Sequence, residues 1–346
     1  MNKDARIRIL SIRQYVSDEF LERELGFRIE IIDPETFVLK GSKLFVAIID
    51  SDIEIWLRLL KDSELKSITV LLLSNETQNL NIYRKLFATP AIRFIFAQYA
   101  PMPSRPFGLN SIIGTMIDNP RSLWKFNCYR IIFRSICRSI RNNLFYLMNR
   151  HRYSSLVLGY SNNFFNELIE YLNIDKGSIT SLLDLSIPKE IVEGKNMISF
   201  VGQGKGLFRE NLLQNLEGKK NFDLVINSNW GKPNDNQKLV YIRSLLSNVL
   251  ILCPPGYLSN LTFRYLETVI CNSIPVTLDY WLQDWEINSF WTKALPIMNR
   301  ISIKNLSRYL MNLSSGEIET LSLNIKNSAV AEIMENRFKI SEINKI

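Results

Sequence analysis

The chain has 346 residues, 46% of them apolar and 22% charged, the balance of a soluble globular protein with room for two domains of about 150 residues. Its 42 Lys and Arg exceed its 34 Asp and Glu by eight, and it holds one histidine, His151. A single imidazole excludes two-histidine zinc sites, HExxH proteases and multi-histidine iron or copper centres, and confines any Ser-His-Asp triad to His151.

The N-terminal MNKDARIRIL carries charges where a secretory signal needs an apolar core. Five strand candidates follow: RIRILS, FRIEIID, LFVAIID, SITVLLL and AIRFIFAQ, with helical patterns around Glu54–Leu60 and Leu80–Phe87. The most apolar windows, KLFVAIID and SITVLLLS, fall short of the roughly 20 residues that cross a bilayer. Cys128, Cys137, Cys253 and Cys271 form no CxxC pair and read as small buried hydrophobes, which points to a reducing compartment. The expected location is the cytoplasm, with peripheral attachment to the inner membrane face.

Between Asn119 and Asn166 there is no acidic residue, yet Arg121, Lys125, Arg130, Arg134, Arg138, Arg141, Arg150 and Arg152 fall there. These eight equal the whole net charge, so the protein is a neutral body carrying one basic segment. At about 100° per residue, Arg134, Arg138 and Arg141 lie roughly 40°, 80° and 20° from Arg130. Ile132, Phe133, Ile136, Ile140, Leu144 and Leu147 take the other side of the same basic amphipathic helix, placed over about residues 121–148. Three partners suit it: acids from elsewhere in the fold, an anionic membrane surface, or, ranked last for want of an accompanying motif, nucleic acid.

SSLVLGYS reads as a further strand and Asn163–Leu172 as a helix, and SIPKEIVEGKN (Ser186–Asn196) connects two halves. The second half alternates more cleanly: MISFVGQ, GLFRENLLQNLE, FDLVINS, NDNQKLVYIRSLLS, NVLILCP, LTFRYLETVICN and IPVTL. A strand ALPIM and two helices close the chain. The alternation predicts α/β layering with largely parallel strands, domains at 1–190 and 191–346, and sites in the loops that follow strands.

In the run Ser247–Leu278, Pro254, Pro255 and Gly256 end a buried strand, and Ser259 or Asn260 can cap the next helix. Arg264 and Glu267, spaced i,i+3, share a face of that helix. A guanidinium fork suits diphosphate oxygens and a carboxylate suits vicinal hydroxyls, a pairing made for a nucleoside diphosphate. Alone, such a pair on a helix is usually a surface salt bridge.

The run resembles the exostosin-like glycosyltransferases, which share a strand ending in Pro-Arg-Gly, a Ser, an Arg-x-x-Glu-Ala helix and a Gly-x-Ile-Pro-Val strand. The matching residues are Pro254, Gly256, Ser259, Arg264, Glu267, Ile274, Pro275 and Val276, with Tyr241, Leu245 and Ser247 upstream. Earlier, Phe200, Gly202, Arg209 and Leu213 match the family's strand, Gly-rich turn and helix, and the likeness spans roughly Ile198–Phe338. Pro255 replaces the family's arginine, and Asn272 its glycine.

The resemblance implies a GT-B fold, two Rossmann-like domains facing a cleft. The 191–346 domain then binds the nucleotide sugar and the 1–190 domain the acceptor. It implies inverting transfer of a hexosyl or pentosyl unit from a UDP- or GDP-sugar to a glycan or lipid-linked glycan, as in polysaccharide biosynthesis. No tightly bound cofactor is expected, no convincing DxD motif marks a metal site, and divalent metal dependence stays open. The implied donor-binding residues are Gly202, Arg209, Gly256, Ser259, Arg264 and Glu267, with Glu267 on the ribose. A general base belongs after a strand of the first domain, where Asp50 and Asp52 are best placed. Asp33, Glu76 and Asp118 are runners-up, and His151 stands among arginines. Tyr280, Trp281, Trp285 and Trp291 offer stacking faces. Pro255 keeps a rival open, a non-catalytic glycan- or membrane-binding protein derived from such an enzyme.

Overall fold

A computed structural model describes the protein over residues 6–39, 41, 43–61, 65–74, 79–98, 100, 126–187, 198–204, 207–220, 222–227, 234–254, 262–276 and 312–345. The chain divides into two compact units. One takes Met1–Pro103, Arg141–Asn162 and Ile333–Ile346, and the other Ser104–Ile140 and Asn163–Glu332. This interleaved division and a single cut at residue 190 are different partitions, although the strands of one sheet all precede that residue and those of the other all follow it.

The first unit is built on six strands: β1 (Ile7–Ser11), β2 (Phe27–Ile31), β3 (Lys43–Ile49), β4 (Ser67–Ser74), β5 (Ile92–Ala97) and β6 (Tyr153–Ser155). Their order is β2-β1-β3-β4-β5-β6, and every pairing is parallel. Runs such as KLFVAII and SITVLLL suit this sheet, because parallel strands covered on both faces need apolar side chains on both. The covering helices are α1 (Asp18–Arg23), α2 (Ile53–Lys61) and α3 (Leu80–Phe87). From α2, Ile53, Trp56 and Leu60 reach the core at i, i+3 and i+7, where they join Val46, Val70 and Ile95. Asn79 caps α3 by accepting the Asn81 N–H.

SSLVLGYS departs from the expected strand. Tyr153–Ser155 pairs with β5, the Leu156 N–H still donates to Ala97 O at 2.8 Å, and Val157 to Tyr160 run on buried. The Val157 N–H goes instead to the Asn336 side chain at 3.2 Å. Gly159 packs so tightly on the Phe20 ring that a Cβ there would fall 2.1 Å from it. The basic helix is α4 (Phe126–Asn149), and the helix expected at Asn163 is α5 (Asn162–Tyr171).

The second unit holds β7 (Ile198–Gln203), β8 (Phe222–Asn227), β9 (Leu250–Leu252) and β10 (Ile274–Val276), again all parallel, in the order β10-β9-β7-β8. Its helices are α6 (Leu207–Leu216), α7 (Asp235–Ser247) and α8 (Arg264–Ile270). A reciprocal capping box between Asn234 and Gln237 starts α7. Asn272, where the resembled family has glycine, ends α8 at φ 54°, the left-handed conformation that Asn tolerates best after Gly. Its side chain also donates to Ile187 O at 2.9 Å and accepts from Lys326 at 3.4 Å, contacts a glycine lacks. The described end of the chain is one helix, α9 (Ser315–Lys345), started by a Ser314–Glu317 capping box. ALPIM lies outside the described residues.

Asp18, just past β1, accepts the Tyr15 N–H at 2.9 Å, and burial raises its carboxyl to about 6, with Glu22 and Glu19 adding to the rise. A folded-state value above the ordinary 3.8 means the folded protein holds this proton longer than the unfolded chain. The stability it contributes is complete below about pH 4 and is lost as pH rises through about 6. Asp18→Asn keeps an acceptor for Tyr15 but cannot ionise. The stability difference between variant and wild type, followed by denaturant unfolding, should therefore grow in the variant's favour across that window and then level. A difference constant with pH would contradict this.

Candidate functional site

In the second unit the chain leaves β7 for β8 on one side and resumes at β9 on the other. The loops after β7 and β9 therefore part at the carboxyl edge of the sheet, the switch point where open α/β sheets bind ligands. Arg209, in the first turn of α6, donates to Gln203 O at the end of β7 (3.3 Å) and to Pro254 O past β9 (3.5 Å). One guanidinium thus spans the switch point.

Arg264, the first residue of α8, lies beside it. Its Nη2 donates to Val201 O at 2.8 Å, and its Cζ stands 4.4 Å from the Phe200 ring centroid and 5.7 Å from that of Tyr241. A Cβ on Gly202 would come within 2.3 Å of that Nη2, so glycine is required by close approach. Among the described residues, Nε of Arg264 is a buried donor without an acceptor.

Glu267 follows at i+3, buried, and takes the Tyr241 hydroxyl at 2.6 Å. Burial and then the Glu267 charge raise the Tyr241 hydroxyl well above its ordinary value, and Arg264 opposes them. Burial pushes the neighbouring Cys253 thiol up to about 12, with Arg264 and Arg209 pulling the other way. Such a thiol is inert at neutral pH. Tyr241 engages Oε2 of the Glu267 carboxylate, the group expected to meet the ribose. Phe200 and Tyr241, whose rings stand beside Arg264, lie among the residues of the resemblance but not in the expected site, because their role depends on α7 packing over β7.

Gly202, Arg209, Arg264 and Glu267 are thus brought together. Gly256, Ser259 and Pro255 lie outside the described residues, as do Tyr280, Trp281, Trp285, Trp291, Glu76 and Asp118.

The first unit has its own switch point between β1 and β3. Asp50, Ser51 and Asp52 form a 3-10 turn directly after β3. Asp50 is exposed. The Asp52 side chain is 3% exposed, paired with Arg13 from the loop after β1, and accepts from Ser51 at 3.1 Å. An arginine bridges this switch point too, a contact that sequence reading missed although Arg13 stands two residues past a legible strand. Asp33 accepts the Glu35 N–H and the Thr36 hydroxyl, each at 3.0 Å, as a turn residue does. His151 is exposed just after α4. Arg141 is exposed on α4, while the side chains of Arg130, Arg134 and Arg138 lie outside the described set. Among the described residues no group of three His, Cys, Asp or Glu is placed to hold a metal ion, and no helix is long and apolar enough to cross a membrane.

No protein-family model matches the chain, and no curated protein does. Among solved structures it is similar to a UDP-forming α,α-trehalose-phosphate synthase from Burkholderia xenovorans in complex with glucose-6-phosphate, at 10% identity over 98% of this chain and 99% of that one, with a TM-score of 0.45. It is similar also to OtsA in its apo form (11% identity, 99% and 100% covered, TM-score 0.48). An α1,3-fucosyltransferase is a third (11%, 98% and 92%, TM-score 0.39). Likenesses this distant say nothing of activity, which rests on the residues of the site.

The Gly202 contact can be tested. Gly202→Ala should drive the Arg264 guanidinium off Val201 O and destabilise the protein by about 1–3 kcal/mol, the usual cost of overpacking. Denaturant unfolding reads this directly, and wild-type stability in the variant would show that the side chain has room to move.

Proposed function

We propose that the chain is a glycosyltransferase that takes its sugar from a UDP- or GDP-linked donor, on the GT-B plan that the exostosin-like resemblance implies. Residues 191–346 supply the donor domain and residues 1–190 the acceptor domain. The observation that carries the reading is Arg209 spanning the β7/β9 switch point beside Arg264. Two fixed guanidinium groups at the carboxyl edge of a parallel sheet make a seat for a diphosphate.

The chemistry follows from that seat. In inverting transfer an acceptor hydroxyl attacks the anomeric carbon and the bond to the diphosphate breaks, leaving its electron pair on the departing oxygen. Arg209 and Arg264 meet that growing negative charge with donors already in place. Gly202 lets Arg264 approach, and Glu267, fixed by the Tyr241 hydroxyl, is assigned to the ribose hydroxyls. The acceptor proton needs a base. The candidates are Asp50 and Asp52 in the turn directly after β3, where Asp52 also pairs with Arg13. The acceptor is a glycan or lipid-linked glycan, and the free thiols at Cys137, Cys253 and Cys271 fit work in the cytoplasm.

Pro255 favours a second reading, a protein that binds the donor or a glycan without transfer. Calorimetry against a panel of UDP- and GDP-sugars tests the donor site. At least one should bind, and Arg209→Ala should weaken it about tenfold or more, the loss expected for charge-assisted hydrogen bonds. Binding by none, or an unchanged Arg209→Ala, would defeat the proposal. Binding without transfer or hydrolysis would select the second reading.

A further inference from the structure

An amphipathic helix is expected to bury its apolar side, and α4 leaves the described apolar residues of that side exposed. Phe133 is 67% exposed, Ile140 52%, Leu144 58%, Leu147 65% and Met148 76%. Measured from Phe133 at about 100° per residue, the other four fall within roughly 60° of it, a ridge on one strip of the helix about 22 Å long. The Arg141–Asn149 half of the helix is held at Phe145, roughly 120° around from Phe133, and at Asn142, roughly 180° around. Phe145 stacks on Phe87 with centroids 6.2 Å apart and meets Tyr83 edge-on at 5.6 Å, and Asn142 is buried. In that anchored half, Leu144, Leu147 and Met148 therefore point away from the side that packs.

Charge says what covers it. Arg130, Arg134, Arg138 and Arg141 occupy helix positions roughly 60° to 140° around from Phe133, along one flank of the ridge. Arg141 and Arg150 are exposed, and no acidic residue occurs between Asn119 and Asn166. We propose that this face of α4 docks on a lipid bilayer surface carrying anionic headgroups, the ridge entering the headgroup layer and the arginines meeting the phosphates. Nucleic acid would use the arginines but has no use for a ridge of Phe, Ile, Leu and Met. The bilayer uses both, since interfacial helices combine buried apolar side chains with cations that each strengthen binding about fivefold. The proposal is independent of the donor site and stands or falls separately.

The test is co-sedimentation of the full chain with vesicles of phosphatidylcholine alone or with added phosphatidylserine. Wild type should bind the anionic vesicles at least about tenfold tighter and lose that preference as salt is raised. Leu144→Ser combined with Leu147→Ser should weaken binding about tenfold, and Arg141→Glu about fivefold or more, with thermal unfolding unchanged because all three side chains are exposed. Equal binding to both vesicles, or wild-type binding by both variants, would overturn the proposal. So would a wild-type dimer that becomes monomeric in the Leu144/Leu147 variant without vesicle binding, or an RNA competitor that binds both variants as it binds wild type and strips wild type from the vesicles.

Discussion

A parallel sheet ends in a row of backbone carbonyls, and in the second unit two guanidinium groups sit on that row. The rest of the site follows from holding them there. Arg264 reaches Val201 O only because residue 202 is glycine. Its cation faces the Phe200 ring, and the Tyr241 hydroxyl fastens the nearby Glu267, so the charge is embedded among aromatic and acidic partners. Arg209 performs the complementary task, tying the end of β7 to the segment after β9 where the chain reverses its direction across the sheet. Donors fixed in this way need no reorganisation when an anion arrives.

The first unit repeats the device with different chemistry. Arg13 and Asp52 close the β1/β3 switch point as an ion pair, and Asp50 stands exposed at the start of the same turn. Removing one partner of such a pair leaves a nearly buried carboxylate uncompensated, so the pair fixes where Asp50 is presented. The basic segment lies apart from both switch points in sequence, on α4, and its charge is matched with an apolar ridge rather than with catalytic groups.

Much of this architecture is legible in the sequence, for reasons particular to certain segments. KLFVAII and SITVLLL can only be strands buried on both faces, and Leu80–Phe87 is a helix announced by its cap at Asn79. The i,i+3 spacing of Arg264 and Glu267 is enough to put both beside Tyr241. Sheet order is another matter. Nothing local in the chain says that β9 lies beside β7, so the carbonyls that Arg209 spans cannot be named in advance. SSLVLGYS misleads because, past Leu156, its next N–H, that of Val157, turns to Asn336, far along the chain. Helical periodicity in α4 gives the angle between apolar and charged faces, but not which face meets the core.

Arg209 and Arg264 are the centre of the account, and a crystal structure of the chain with UDP or GDP bound tests them most directly. The account predicts diphosphate oxygens within hydrogen-bonding distance of both guanidinium groups, at the carboxyl ends of β7 and β9. A nucleotide seated elsewhere, or a diphosphate that neither arginine touches, would contradict it.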